Sequence, residues 1–64
     1  MRLRVKTRVP VSTRGFLGYL ELGWEVSIVD IRQVETAWVM DLFVPQLALI
    51  FPLGIEQLKD FERV

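Results

Sequence analysis

The first residues of the chain alternate between cationic and mostly apolar side chains. The even positions of residues 2–9 hold Arg2, Arg4, Lys6 and Arg8, and the odd positions hold Leu3, Val5, Thr7 and Val9. Successive side chains of a β-strand point to opposite faces of the sheet. The alternation therefore predicts an opening β-strand with one basic face and one face available to a core.

The length of the chain limits how its fold can be stabilised. Sixty-four residues form one domain at most, residues 1–64, and a chain of this size buries only about 60% of the surface that its unfolded form exposes. Domains this small usually need a disulfide, a metal, oligomerisation or dense packing. Cysteine and histidine are both absent, and hydrophobic residues make up 52% of the chain. We therefore expect dense packing, with the surplus apolar surface facing another subunit or protein.

The charges are unevenly distributed, although the formal net charge is zero. Residues 1–14 carry five basic side chains, the fifth being Arg14, and no acidic one, whereas residues 15–64 carry three basic and eight acidic side chains. We expect the opening strand to form a basic edge of the fold, whose cations pair across strands with Glu21, Glu25 or Asp30 and hinder edge-to-edge aggregation. The alternative counterparts are an acidic protein or a nucleic acid, and the zero net charge disfavours the nucleic acid.

Alternation with a period of two continues along the chain and predicts further strands. One strand covers residues 19–31, in which Gly23 marks either a bulge or a break into two strands. Residues 32–33 are interpreted as a polar connector, residues 34–44 as a strand that is apolar on both faces, and residues 47–51 as a short apolar strand.

The spacing of apolar residues changes to three near the C-terminus, where Ile55, Leu58 and Phe61 recur. This spacing predicts a single turn of 3-10 or α-helix, because isolated short helices are marginal. A full helix over residues 55–63 is the alternative, and residues 61–64 are interpreted as a last short strand.

This order of elements predicts an all-β fold, a small barrel of about five short strands with one helical turn near the C-terminus. The residues that carry a family resemblance are 44–45, 49–52 and 55–61, where a strand is followed by a turn containing a leucine and then by a terminal strand. This tail resembles small SH3-like accessory proteins of photosynthetic complexes, such as the O subunit of the NDH-1 complex and the E subunit of photosystem I. The resemblance implies an SH3-like barrel and an accessory-subunit role, and it assigns no functional residue.

The chain offers little for catalysis, and we predict that it is not an enzyme and uses no cofactor or metal. The serines and threonines have no histidine to activate them. On one continuous strand Glu21 and Glu25 would lie about 13 Å apart by the extended rise, whereas paired glycosidase carboxylates lie about 5–9.5 Å apart. Neither metal-ligand spacing nor a glycine-rich phosphate loop is present.

Binding to a partner is the function that the pattern favours. We expect a protein-interaction module or accessory subunit that docks through an apolar face and is oriented by the basic strand. The alternative is a nucleic-acid-binding barrel that uses the same basic strand. A third interpretation is a homo-oligomer with a site on its symmetry axis. The apolar docking residues are expected among Val39, Phe43, Leu47, Leu49 and Phe51, while Trp24 and Trp38 are interpreted as core anchors. The candidate partner-binding residues are Arg2, Arg4, Lys6, Arg8, Phe16, Tyr19 and Phe43.

Membrane insertion and secretion are not predicted. The most apolar stretch, residues 37–55, contains Asp41, Pro45 and Pro52, which weaken its reading as a spanning helix. The polar segment at residues 9–14 interrupts the position where the apolar core of a signal peptide would lie. The absence of cysteine fits a cytoplasmic location.

Overall fold

A computed structural model describes residues 1–13 and 15–64, and Arg14, the fifth cation of the N-terminal segment, lies outside the described residues. Over these ranges the chain forms seven strands and one 3-10 helix. The bounds are β1 (Arg2–Val5), β2 (Val9–Thr13), β3 (Phe16–Leu20), β4 (Glu25–Val34), β5 (Ala37–Val44), β6 (Leu49–Gly54), the 3-10 helix (Ile55–Asp60) and β7 (Phe61–Arg63). The predicted all-β class and the single helical turn before a last short strand are confirmed, and the full helix over residues 55–63 is wrong.

The strands form a five-stranded antiparallel sheet in the order β6-β5-β4-β1-β7 and a separate β2–β3 hairpin. Seven strands replace the predicted five for two reasons: the expected strand at residues 19–31 is broken at Gly23, and β2 forms over residues 9–13, of which only Val9 belongs to the predicted opening strand. Of the two alternatives at Gly23, a bulge or a break into two strands, the structure shows the break, since β3 ends at Leu20 and β4 begins at Glu25. Gly23 has a φ of 85°, a backbone conformation that favours glycine.

The opening strand is shorter than predicted and is not an edge. β1 ends at Val5 because the next two backbone amides, of Lys6 and Thr7, donate to the carbonyl of Asp60 at 2.8 and 3.1 Å, which turns the chain. β1 lies inside the sheet between β4 and β7, so the outermost strand on this side is the three-residue β7. The four cations therefore do not share one strand face.

The β4–β5 hairpin is longer than predicted. β4 continues through residues 32–33, which were interpreted as a connector, and the turn falls at Glu35 and Thr36. Glu35 adopts a φ of 57° there, a left-handed conformation that is uncommon for residues other than glycine. A Glu-Thr turn has none of the usual sequence signals for a hairpin, which explains the error.

The core lies between the inner face of the five-stranded sheet and the inner face of the β2–β3 hairpin. Phe51 is 1% exposed, and its ring contacts Phe16 edge-on, with the centroids 5.6 Å apart. The buried side chains are Leu3, Val5, Val9, Val11, Leu20, Val26, Met40, Leu42, Val44, Phe51, Leu53 and Phe61. Trp24 packs against this core as predicted, but Trp38 is 49% exposed because it lies beyond Val39, the last β5 residue paired with β6.

Candidate functional site

The structure separates the seven candidate partner-binding residues into two surfaces and two isolated positions. Arg2, Arg4 and Phe43 lie on the face of the five-stranded sheet that is turned away from the core, which we call the outer face. Arg8 and Tyr19 meet on the β2–β3 hairpin. Lys6 is exposed in the bend after β1, and Phe16 packs inward on Phe51.

The strand register places a cation and two apolar side chains in one row across the outer face. Arg2 is opposite Ser27 of β4, Ser27 is opposite Phe43 of β5, and Phe43 is opposite Ile50 of β6. Residues directly opposite each other in an antiparallel sheet point to the same side, and neighbouring strands lie about 4.8 Å apart. The row therefore runs from a basic end to an apolar end over about 14 Å.

The basic end of the outer face contains two acidic residues, Glu25, which the sequence predicts as a partner of the cations, and Glu62, which it does not. The Arg2 Nη2 atom lies 3.7 Å from Glu25 Oε1, and the Arg4 guanidinium lies 3.6 Å from Glu25 and 3.8 Å from Glu62. These separations exceed normal hydrogen-bond distances, and exposed ion pairs of this kind are worth about 0–1 kcal/mol. The guanidinium donors of Arg2 and Arg4 thus remain available to a partner.

The apolar end of the outer face differs from the expected docking set. Phe43 is 36% exposed, and Ile50, which is not among the expected docking residues, is 54% exposed. Phe51 is in the core instead, and Leu47 is partly buried against it. The residues of β6 alternate between the two faces, so a single shift in the assumed alternation exchanges Ile50 for Phe51.

Arg32 and Asp41 form the closest ion pair on the outer face. The Nε and Nη2 atoms of Arg32 donate to Asp41 Oδ2 and Oδ1 at 2.8 and 3.1 Å. This bidentate hydrogen bond lowers the pKa of Asp41, against the opposing effect of partial burial, and the charge of Arg32 adds to the lowering. The same hydrogen bond raises the pKa of Arg32, with a smaller contribution from Asp30. Asp30, one of the acids expected to pair with the opening strand, instead lies directly opposite Asp41.

We expect Asp41→Asn to remove part of the acid sensitivity of the fold. The pKa of Asp41 is depressed in the folded state, so its ion pair stabilises the protein above the unfolded-state pKa of about 3.9 and loses this effect as the pH falls through the lower folded-state pKa. Urea denaturation of wild type and Asp41→Asn at neutral pH and below pH 3.9 should show a stability difference that shrinks in acid. Glu35→Gln, which changes an exposed carboxylate in the hairpin turn, is the control; a difference independent of pH would contradict the assignment.

The β2–β3 hairpin carries the second surface. The Arg8 guanidinium lies 4.0 Å from the centre of the Tyr19 ring and donates to both carboxylate oxygens of Glu21 at 2.9 and 3.2 Å. The expected pairing of an N-terminal cation with Glu21 is therefore confirmed. Pro10, Leu17 and Tyr19 border an adjoining groove of about 470 Å³.

Groups for metal binding or membrane crossing are not found in the described ranges. Across residues 1–13 and 15–64, no three acidic side chains are close enough together to hold a metal ion. Within the same ranges, no helix is long and apolar enough to cross a membrane. Glu21 and Glu25 lie on either side of the turn at Gly23, so the spacing derived from one continuous strand does not apply to them.

Comparison of the chain with protein-family models, with curated proteins and with solved structures finds no match in any of the three. The likeness to SH3-like accessory proteins stays a prediction from the sequence.

Proposed function

We propose that this chain is a protein-interaction module or accessory subunit that docks on a larger protein complex through its outer face. The observation that carries the proposal is the row that places Phe43 and Ile50 beside Arg2, whose guanidinium, like that of Arg4, is ion-paired only at 3.6–3.8 Å. Exposed apolar side chains gain free energy when a partner removes them from water.

The composition of the outer face is suited to a protein partner. Aromatic residues and arginine are enriched at protein interfaces and at the residues that contribute most to their affinity. Phe43 and Ile50 supply the apolar contact, whereas Arg2 and Arg4 supply charges that orient the partner and accelerate its association. Both longer dimensions of the domain, 31 and 28 Å, accommodate the roughly 800 Å² per partner of a standard interface.

The strand order gives additional support for an accessory-subunit role. β1 pairs with both β4 and β7, and the 3-10 helix leads directly into β7. A strand, a short turn and a terminal strand is the order on which the resemblance to SH3-like proteins of photosynthetic complexes depends. A fold alone does not establish function, so the outer face carries the proposal and the resemblance is secondary. We include in this proposal that the protein is located in the cytoplasm.

The nucleic-acid alternative has less support. It requires a continuous basic surface to contact phosphates, but Arg2 and Arg4 lie beside Glu25, and Arg8 is bound to Glu21.

The docking proposal is tested by comparing which proteins wild type and an outer-face variant retain. We expect Phe43→Asp to lose a defined partner that the wild type captures from a lysate of its native host, because the change places a desolvated charge in the apolar contact. With that partner purified, calorimetry should show an affinity loss of at least about tenfold, which corresponds to about 1.4 kcal/mol.

Leu17→Asp is the matched control because Leu17 is 84% exposed on the hairpin, away from the outer face. It should retain the partner with unchanged affinity. Equal losses for Phe43→Asp and Leu17→Asp, or no loss for either, would contradict docking through the outer face. Salt-sensitive binding of mixed oligonucleotides by the wild type would favour the alternative.

A further inference from the structure

A two-stranded ribbon projects beyond the core at the end of the β4–β5 hairpin. All residues in the range 29–38 are exposed, although the range includes Val29, Ile31, Val34 and Trp38. Two boundaries explain the exposure. The last hydrogen bond from the N-terminal segment to β4 joins the Ile28 amide to the Met1 carbonyl at 2.9 Å, and β6 pairs with β5 only from Val39 onward. We call residues 29–38 the ribbon.

The side of β4 that faces away from β5 is open along the ribbon. The register of β4 and β5 shifts between Ile28 and Asp30, and such a bulge bends a strand. Among the described residues, β4 therefore has β5 as its only strand neighbour from residue 29 to residue 34. The unpaired amides and carbonyls of an open strand edge are a template for pairing with another strand.

The sequence along this open edge is complementary to itself in charge. If two copies of the strand pair antiparallel with Ile31 opposite Ile31, then Asp30 lies opposite Arg32 of the second copy, and Arg32 lies opposite Asp30 of the second copy. Opposite charges directly across an antiparallel pair are stabilising, and like charges are destabilising. One register thus forms two favourable cross-strand pairs from a single short segment.

The surroundings of Asp30 within one chain favour a cation from outside. Asp30 lies directly opposite Asp41 on β5, a like-charge pair whose repulsion Arg32 offsets. Arg32 uses its Nε and Nη2 atoms to bind Asp41, which leaves its Nη1 atom for another carboxylate. Arg32 of a second copy would give Asp30 its own counter-charge on the side away from Asp41.

We propose that two copies of this chain form a symmetric dimer by antiparallel pairing of their β4 edges at residues 29–33, centred on Ile31. The pairing joins the two ribbons into one four-stranded sheet in the order β5-β4-β4-β5. On one face Asp30 and Arg32 form the two reciprocal ion pairs, and on the other face the two Ile31 side chains, each 50% exposed in one chain, cover each other. Such an interface is isologous, as expected for a closed two-fold dimer.

The dimer and the docking proposal depend on different residues. The Asp30–Arg32 pairs of the dimer lie on the outer face but in the ribbon, whereas docking depends on Arg2, Arg4, Phe43 and Ile50. Ile31 lies on the side of the sheet that continues from the core, since it is opposite the buried Met40, whereas Phe43 and Ile50 are on the outer face. Failure of one proposal therefore leaves the other intact.

The first test measures mass by sedimentation equilibrium over micromolar to millimolar concentrations. The wild type is expected to reach twice its monomer mass of 7.5 kDa. In a homodimer of Asp30→Arg, arginine faces arginine at both paired positions, and in a homodimer of Arg32→Asp, aspartate faces aspartate. Each variant alone should therefore dimerise at least about tenfold more weakly. An equimolar mixture of the two variants should recover the dimer, because each cation then faces an acid. A wild type that stays monomeric, or a mixture no stronger than its components, would overturn the proposal.

A second test is independent of changes to the charges. The chain has no cysteine, so a single introduced cysteine reports one contact. Ile31→Cys should form a disulfide-linked dimer under mild oxidation, because residues directly opposite on the two-fold axis have Cβ atoms about 4.5–5.5 Å apart. Ile50→Cys, at a residue of similar exposure on the outer face, should cross-link much more slowly. Equal rates for both variants, or faster cross-linking at position 50, would overturn the proposed interface.

Discussion

Replacing Phe51 by alanine is expected to lower the free energy of unfolding by about 3–5 kcal/mol, the usual cost of truncating a buried phenylalanine. Phe51 is 1% exposed, lies opposite Leu42 on β5 and contacts Phe16 of the hairpin. Its ring therefore joins the five-stranded sheet to the hairpin. Domains of this length are stable by roughly 3–10 kcal/mol, so the change removes a large fraction of the stability and unfolds the variant at room temperature if the wild type lies near the lower end of that range.

The control for this prediction is the preceding residue. Ile50 is 54% exposed on the outer face, and Ile50→Ala should cost less than about 1 kcal/mol. Urea denaturation followed by tryptophan fluorescence measures both variants, since Trp24 packs against the core. Similar losses for the two variants would mean that the assignment of faces along β6 is wrong.

The contrast between Ile50 and Phe51 shows what the sequence could and could not predict. Alternation identified most of the strands, because burial of one face requires a period of two. Residues 47–51 are almost uniformly apolar, so their pattern does not distinguish the inner face from the outer face. The assignment depends on the register with β5, which is a property of the whole sheet.

The opening strand had the clearest pattern and was nevertheless placed incorrectly. Leu3 and Val5 are buried on one face of β1, as the alternation predicts. The end of the strand at Val5 depends on hydrogen bonds from the next two amides to Asp60, a residue far away in the sequence. Its position inside the sheet depends on β7, whose three residues carry little signal of their own.

The candidate site was predictable in its charges but not in its grouping. Glu21 and Glu25 were correctly expected to pair with the N-terminal cations. Because the chain turns between Val5 and Val9, Arg2 and Arg4 lie on the outer face with Phe43, whereas Lys6 lies alone in the bend and Arg8 lies beside the hairpin. The ribbon was missed because its turn, at Glu35 and Thr36, lacks a hairpin signal.

Gly18→Val is expected to destabilise the fold by about 2–3 kcal/mol, toward the upper end of the usual cost of overpacking. Gly18 lies opposite the buried Val11 on the inner face of the hairpin, and the Phe16 ring covers it. A Cβ atom at position 18 would lie 2.8 Å from Phe16 Cζ, closer than van der Waals contact permits. The ring must then move away, and it would lose its edge-on contact with Phe51.

Two further variants separate this mechanism from a general effect of valine in the hairpin. Leu17→Val changes the adjacent residue, which is 84% exposed on the opposite face of the hairpin, and should alter stability by no more than about 0.5 kcal/mol. Phe16→Leu shortens the side chain that blocks position 18, so Gly18→Val should cost less in that background than in the wild type. Denaturation midpoints of the four combinations form a double-mutant cycle for positions 16 and 18. Strict additivity in this cycle would show that Phe16 does not require glycine at position 18.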